Sequence, residues 1–436
     1  MTIYLSHAFH RNTYTALATP ILKSFVSCVK SDVYTCHSRE DSSMTPPYAV
    51  DYTHDAQTGG SPLLAVATEE GSVHILNTMK RRPWDPEPPR TVLSVHENAI
   101  FSIKWDMSDR LLATASGDQT IVISDVERET THQILSGHTS TVKCIAWDPR
   151  HRDLLSTGGR DGTIHVWDLR TSKGRGSILS PVLTIHGAHE GESRTGKPKP
   201  KRKTLKSIPI LKSVTDLIYP DDGRDELISS GSADGILRLW DLRGPVSGRT
   251  RKRTPTLKRP LVLSPEDPTL FNDARRPRGI LSLALGRGPT AGLVFALGAD
   301  GCVRVYSATT LAPHRNCMWG HAQMHAQTFY VGLALSPCGR WLASGSTGNN
   351  GSLFLFDVTG AGRVGQPQQS GVHLRVRSGF RSEGAGEVGA LAWSSECLSS
   401  CVDDGTVRIW RPNPDVYREC LARPDEKKWE YCWLSE

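Results

Sequence analysis

No run of eighteen apolar residues occurs anywhere in this 436-residue chain, and its first residues lack a charged flank leading into a hydrophobic segment. A bilayer-spanning helix needs about 20 apolar residues and a secretory leader needs that flank, so the sequence points to a soluble intracellular protein with no membrane partner. Cys-x-x-Cys pairs are also missing. The ten cysteines (Cys28, Cys36, Cys144, Cys302, Cys317, Cys338, Cys397, Cys401, Cys420 and Cys432) are scattered, which argues against zinc-ribbon or redox-dithiol chemistry and for reduced, strand-buried thiols. Nor do metal ligands or an activated nucleophile converge in the sequence, so the expectation is a non-catalytic protein with no cofactor and no metal. Aromatic residues make up only 7 % of the chain, so its eleven Trp stand out. Many recur at matching points of a repeat.

That repeat dominates what is present. The phrase Asp161-Gly-Thr-Ile-His-Val-Trp-Asp-Leu-Arg170 returns as Asp234-Gly-Ile-Leu-Arg-Leu-Trp-Asp-Leu-Arg243. Each is a tight Asp-Gly turn, a strand of alternating apolar residues and a Trp-Asp pair, the pattern of one propeller blade. Seven such units can be counted, giving an all-β fold, a seven-bladed β-propeller over residues 47–411. Ser124 stands where the second unit should have Trp, and the fifth unit has Tyr306-Ser307. The seventh ends Trp410-Arg411 soon after its third strand, so its outer strand must come from elsewhere, because an open ring would leave an unpaired edge. The expected source is Ile21–Cys28 in an N-terminal arm, residues 1–46. The C-terminal tail, 412–436, ends in an aromatic cluster at Trp429 and Trp433 that either packs on the propeller or forms a docking peptide.

Long basic insertions separate the blades, at about 187–212 and 244–278, and neither is expected to hold strands. The formal charge of +7 is concentrated there, in Lys197, Lys199, Lys201, Arg202 and Lys203 and again in 249–253. The first cluster fits a nuclear localisation signal, and both offer nonspecific, salt-sensitive attraction to DNA phosphates without base readout. Gly360-Ala-Gly362-Arg-Val-Gly365 has the letters of a dinucleotide loop, which needs a strand before it and a helix after it, but Gln-Pro-Gln-Gln-Ser-Gly follows, so it reads as a linker.

His138, a strand hydroxyl at Ser156 or Thr157, Asp161 and Trp167 invite a Ser-His-Asp triad reading. Their recurrence at blade spacing favours a buried hydrogen-bond network instead, with Asp234 as its counterpart in the next unit. Trp167, Asp168, Trp240 and Asp241 are accounted for by the blade. Arg170 and Arg243 have no evident blade role and should reach a rim in neighbouring blades, where a guanidinium forms fork-like hydrogen bonds to a partner.

Trp-Asp-x-Arg with an Asp six residues before the Trp resembles the box by which WD-repeat proteins dock onto the adaptor of cullin-RING ubiquitin ligases. Leu64-Ala-Val-Ala-Thr-Glu-Glu-Gly-Ser-Val-His74, Gly117-Asp-Gln-Thr120, Thr157-Gly-Gly-Arg-Asp-Gly162 and Gly187-Ala-His189 before a Lys-Pro-rich insertion are more specific. They are similar to the denticleless-type substrate receptors of those ligases. The resemblance implies a WD-repeat receptor that recruits proteins bound to the replication sliding clamp, such as the replication licensing factor, for ubiquitination during the cell cycle and after DNA damage. It implies Trp167, Asp168, Arg170, Trp240, Asp241 and Arg243 as the adaptor-binding set and the nucleus as the location. The alternative is a chromatin-associated scaffold that binds histone or assembly-factor peptides.

Overall fold

The computed structural model describes residues 15–38, 41–171, 177–190, 212–221, 223–243, 256–257, 259–271, 275–348, 351–363, 369–376 and 386–434. They form seven mainly antiparallel sheets, one for each expected unit, arranged as a propeller. Blade 3 shows the plan. Its inner strand Val142–Trp147 pairs with Leu154–Gly159, that with Ile164–Asp168, and that with the outer strand Leu183–Ile185. The Asp161-Gly162 turn is tight because Gly162 has φ +72°, a conformation that strains a residue bearing a Cβ.

Strand alternation fixes two ends of the ring. Turns between the first and second strands and between the third and fourth open at one end. The Trp-Asp-x-Arg phrases lie there. The turns between second and third strands, with the blade-to-blade connections, open at the other.

The core is a set of clusters of Leu, Ile, Val, Ala and aromatic side chains packed between successive sheets. Three tryptophans at the ends of inner strands tie blades together around the channel. Trp105 Nε1 donates to the Asp51 carbonyl (3.2 Å), Trp147 Nε1 to the Lys104 carbonyl (3.1 Å) and Trp393 Nε1 to the Ala334 carbonyl (3.0 Å). Each joins one blade to its predecessor, so the indole, buried at Trp105 and Trp393 and half-buried at Trp147, satisfies its donor without interrupting a sheet.

The seam departs from the expected boundaries. Thr15–Lys23 is helical, and the arm's first strand is Phe25–Cys28, antiparallel to Thr406–Pro412 of blade 7. The arm then returns as Val33–Thr35 along the same strand, Tyr34 opposite Val407. Arg411, where blades 3 and 4 carry Asp after Trp, pairs with the arm's Asp32 and donates to the Thr78 carbonyl of blade 1. The tail adds Tyr431–Cys432 outside Phe25–Cys28, with the helix Pro414–Ala422 between. Trp433 is buried against Val26 and Cys420, whereas Trp429 is 71 % exposed.

The insertions also hold strands where none was expected. Val262–Leu263 is the outer strand of blade 4, and Thr256–Leu257 lies parallel to Leu183–Ile185 of blade 3. Pairing with a preformed edge supplies what these short, weakly patterned segments lack. The basic cluster Lys197, Lys199, Lys201, Arg202 and Lys203 lies outside the described residues, as does 249–253.

Candidate partner-docking site

Blade 3 contains a buried chain of side chains. Trp167 Nε1 donates to Thr157 Oγ1 (2.9 Å), Thr157 Oγ1 meets His138 Nε2 (2.8 Å), and His138 Nδ1 meets Asp161 Oδ2 (3.0 Å). Asp161 also accepts the Thr139 and Thr163 N–H groups and the Thr163 hydroxyl. Burial opposes its ionisation, but His138 and these donors override burial and hold the carboxyl well below its ordinary range. Ser156 is directed elsewhere, to Tyr219 Oη at 2.6 Å. Every polar group is spent on another side chain, so the trio has the geometry of a strand-to-turn brace rather than of a nucleophile awaiting substrate.

The brace is graded across the ring. In blade 2, His96 bridges Asp118 (2.8 Å) and Thr114 (2.9 Å), but Ser124 cannot reach the threonine as Trp would. Blade 4 has Trp240 Nε1, Ser229 Oγ and His189 Nε2 in sequence, each step 2.9 Å. Asp234 does not complete it. Its carboxylate accepts the Ile236 N–H at 3.3 Å, and His189 Nδ1 has no partner among the described residues. Burial raises the Asp234 carboxyl. The brace therefore stops one residue short of the Asp234 position expected from sequence. Blade 7 retains Trp410 Nε1 to Ser400 Oγ at 2.9 Å.

Asp168 and Asp241 have a different job from the turn aspartates. Asp168 accepts the Arg170 N–H (3.0 Å), Nε (2.9 Å) and Nη2 (2.8 Å), a forked pair within one turn. The Arg170 hydrogen bonds hold the Asp168 carboxyl below its ordinary value. Asp241 accepts the Arg243 N–H at 2.9 Å, and Arg243 Nε lies 3.5 Å from Asp241 and 3.4 Å from Asp225 of blade 4's first turn. Arg150, from the matching turn of blade 3, also pairs with Asp225 and donates to the Gly223 carbonyl. The two rim arginines thus have a local role that the sequence did not disclose: Asp168 orients Arg170, and Arg243 sits between Asp225 and Asp241. Both remain open to solvent, at 66 % and 60 % side-chain exposure. Guanidiniums held by a carboxylate yet exposed retain donors for a partner.

Known proteins resemble this chain in fold and in sequence. Residues 87–125, 129–168, 205–241 and 320–357 match the family model for the WD domain, G-beta repeat. Degenerate blade 5 lies outside those matches. One chain of a solved structure titled "Crystal Structure of Mitotic Checkpoint Complex" superposes with a TM-score of 0.56 at 17 % identity, covering 94 % of this chain and 98 % of that one. That likeness concerns the fold alone. The chain is a WD-repeat β-propeller protein.

Relatives that match most of its length include denticleless proteins. Denticleless protein homolog B of Xenopus laevis is 32 % identical over 399 residues, 88 % of this chain and 50 % of the relative. The Danio rerio homologue is 31 % identical, with 88 % and 55 % covered, and the Homo sapiens homologue 29 %, with 88 % and 49 % covered. The chain spans about half the length of the curated relatives it matches.

Proposed function

We propose that the protein is the substrate-recognition subunit of a cullin-RING ubiquitin ligase, docking its adaptor through Arg170 and Arg243. The observation that carries this reading is the pair of Trp-Asp-x-Arg turns in adjacent blades at one end of the ring. Each presents a guanidinium exposed to solvent, Arg170 held by Asp168 and Arg243 placed between Asp225 and Asp241. Kinship with the denticleless proteins supports it. A receptor of this kind catalyses nothing; it raises the effective concentration of a target beside the ligase-bound ubiquitin carrier. Its targets would be replication and cell-cycle proteins held on the sliding clamp, such as the replication licensing factor, in the nucleus and after DNA damage.

In cells depleted of the endogenous protein, wild type should restore degradation of the licensing factor in S phase. Arg170→Ala with Arg243→Ala should bind the target but leave it stable. Full degradation with the double variant would overturn the docking assignment. Nuclear import is assigned to the 197–203 cluster. Replacing its five Lys and Arg residues with Ser or Gln should shift a fluorescent fusion to the cytoplasm with unchanged melting temperature, and unchanged nuclear accumulation would remove that role.

A further inference from the structure

Blades 2, 3 and 5 carry one strand more than the repeat itself supplies, and it enters each time by the same route. Ser177–Leu179 runs parallel to the outer strand of blade 2, Thr130–Ser136. Thr256–Leu257 runs parallel to that of blade 3, Leu183–Ile185, and Gln369–Ser370 to that of blade 5, Pro313–Gly320. In each case the donor is the next blade, and the added strand lies in the connection just before that blade's own outer strand. Those connections are long, at residues 169–182, 242–261 and 358–371. Blade 5 has only residues 308–312 there, closed on themselves by the Ser307 N–H to the Ala312 carbonyl (3.0 Å) and the Leu311 N–H to the Ser307 carbonyl (2.9 Å). It has no length to lay beside blade 4, and among the described residues Val262–Leu263 ends its sheet.

The two faces of this edge differ. Val262 packs into the cluster that holds Leu237, Leu239 and Ile280 between blades 4 and 5. Leu261 and Leu263 lie on the opposite face by strand alternation and are 57 % and 46 % exposed. An open edge flanked by exposed apolar side chains is a template for a further strand. Pro260 and Pro265 bracket it, which limits an added strand to the two or three paired residues seen in blades 2, 3 and 5. The other short connection, residues 126–129 of blade 2, faces the outer strand of blade 1, Thr91–Ser94, where the one exposed residue is Ser94. Charge gives the blade 4 edge a direction. Arg259 is exposed just before its N-terminal end, whereas at its C-terminal end Glu266 is already paired with Arg315 at 2.6 Å. A strand laid parallel to Val262–Leu263 therefore brings its own N-terminal end to the Arg259 charge.

We propose that the outer edge of blade 4 binds an extended segment of a partner protein, added parallel to Val262–Leu263 as a fifth strand. Apolar side chains at alternate positions of that segment cover Leu261 and Leu263, and acidic residues before them meet Arg259. The binding does not depend on the receptor reading above. The probe is a fluorescein-labelled peptide of two glutamates followed by alternating valine and threonine, titrated into the full chain and read by anisotropy. A strand pairs with one neighbour through every second amide, so N-methylating the valines and N-methylating the threonines should act unequally. One methylated peptide should bind about tenfold more weakly than the parent, and the other within about twofold of it. Leu261→Ser with Leu263→Ser, both exposed and so without effect on the melting temperature, should weaken the parent peptide about tenfold. Arg259→Gln should weaken it about threefold, as should reversing the peptide so that its glutamates lie at the far end. Arg170→Ala with Arg243→Ala should leave peptide binding intact. No binding of the parent at millimolar concentration, equal affinities of the two methylated peptides, or full binding by the leucine variant would overturn the site. Tighter binding of the reversed peptide would overturn the parallel arrangement. A concentration-dependent dimer in sedimentation, abolished in the leucine variant, would overturn the proposal by giving the edge to a second copy of this chain. Each of these outcomes leaves adaptor docking standing.

Discussion

Thr157 illustrates how one hydroxyl can hold a blade. It is the shared partner of Trp167 Nε1 and His138 Nε2, so Thr157→Val, nearly isosteric, leaves two buried ring nitrogens without their bond. An unsatisfied buried group costs about 1–3 kcal/mol, so urea unfolding should show a loss of roughly 2–4 kcal/mol. Ser124 is the reverse case. Its hydroxyl is buried in blade 2 with no partner among the described residues, and Ser124→Ala should be neutral or slightly stabilising in the same measurement. The turn aspartates add a pH dependence. Burial acts against ionised Asp118, but the hydrogen bonds from His96 and Thr120 prevail and bring its carboxyl from 3.8 to about 2. A depressed carboxyl stabilises the fold above its unfolded value and loses that contribution as pH falls through its folded value. Asp118→Asn should therefore cost on the order of 2 kcal/mol at pH 7, with the difference from wild type shrinking between pH 4 and pH 2. A penalty that stays constant across that window would count against the assignment.

At the level of elements, the ring depends on a clasp between distant parts of the chain. Arg411 and Asp32 are 379 residues apart in sequence and both largely buried. Burial raises the Asp32 carboxyl despite Arg411, so the arginine is what keeps an ionised group tolerable there. Arg411→Ala should cost about 3 kcal/mol, whereas the charge-free pair Arg411→Met with Asp32→Leu should recover part of it. Denaturant melts of the three variants test this, and an Arg411→Ala protein as stable as wild type would show that the clasp contributes nothing. The clasp also marks where sequence became silent. Asp-Gly turns and Trp-Asp endings are local signals with a fixed period, so the blades were legible. Trp410-Arg411 is only a departure from that pattern until Asp32 comes into view. Val262–Leu263 and Thr256–Leu257 were unreadable because two-residue strands flanked by basic sequence have no periodicity of their own; a neighbouring edge defines them. The Asp234 position matched the motif by letter, yet its carboxylate accepts from Ile236 rather than joining His189. The stack of Tyr330 on Tyr48 was equally hidden, since Gly389 creates room for a tyrosine carried by another blade.

On the scale of the whole molecule, the ring separates two kinds of surface. One end carries the Arg170 and Arg243 guanidiniums beside Asp168, Asp225 and Asp241 in consecutive blades, and the other an aromatic floor with carboxylates beside it. A propeller braced by buried Trp, Thr or Ser, and His side chains keeps those surfaces rigid, so either can be altered without disturbing the other. On the proposed reading, the end that carries Arg170 and Arg243 is the one that meets the ligase adaptor. The most direct measurement is binding of the purified chain to the purified cullin-RING adaptor by isothermal titration. Wild type should bind, and Arg170→Ala with Arg243→Ala, folded by circular dichroism and melting normally, should bind at least thirtyfold more weakly, as roughly 2 kcal/mol lost at an arginine hot spot requires. Wild-type affinity in the folded double variant would contradict the account.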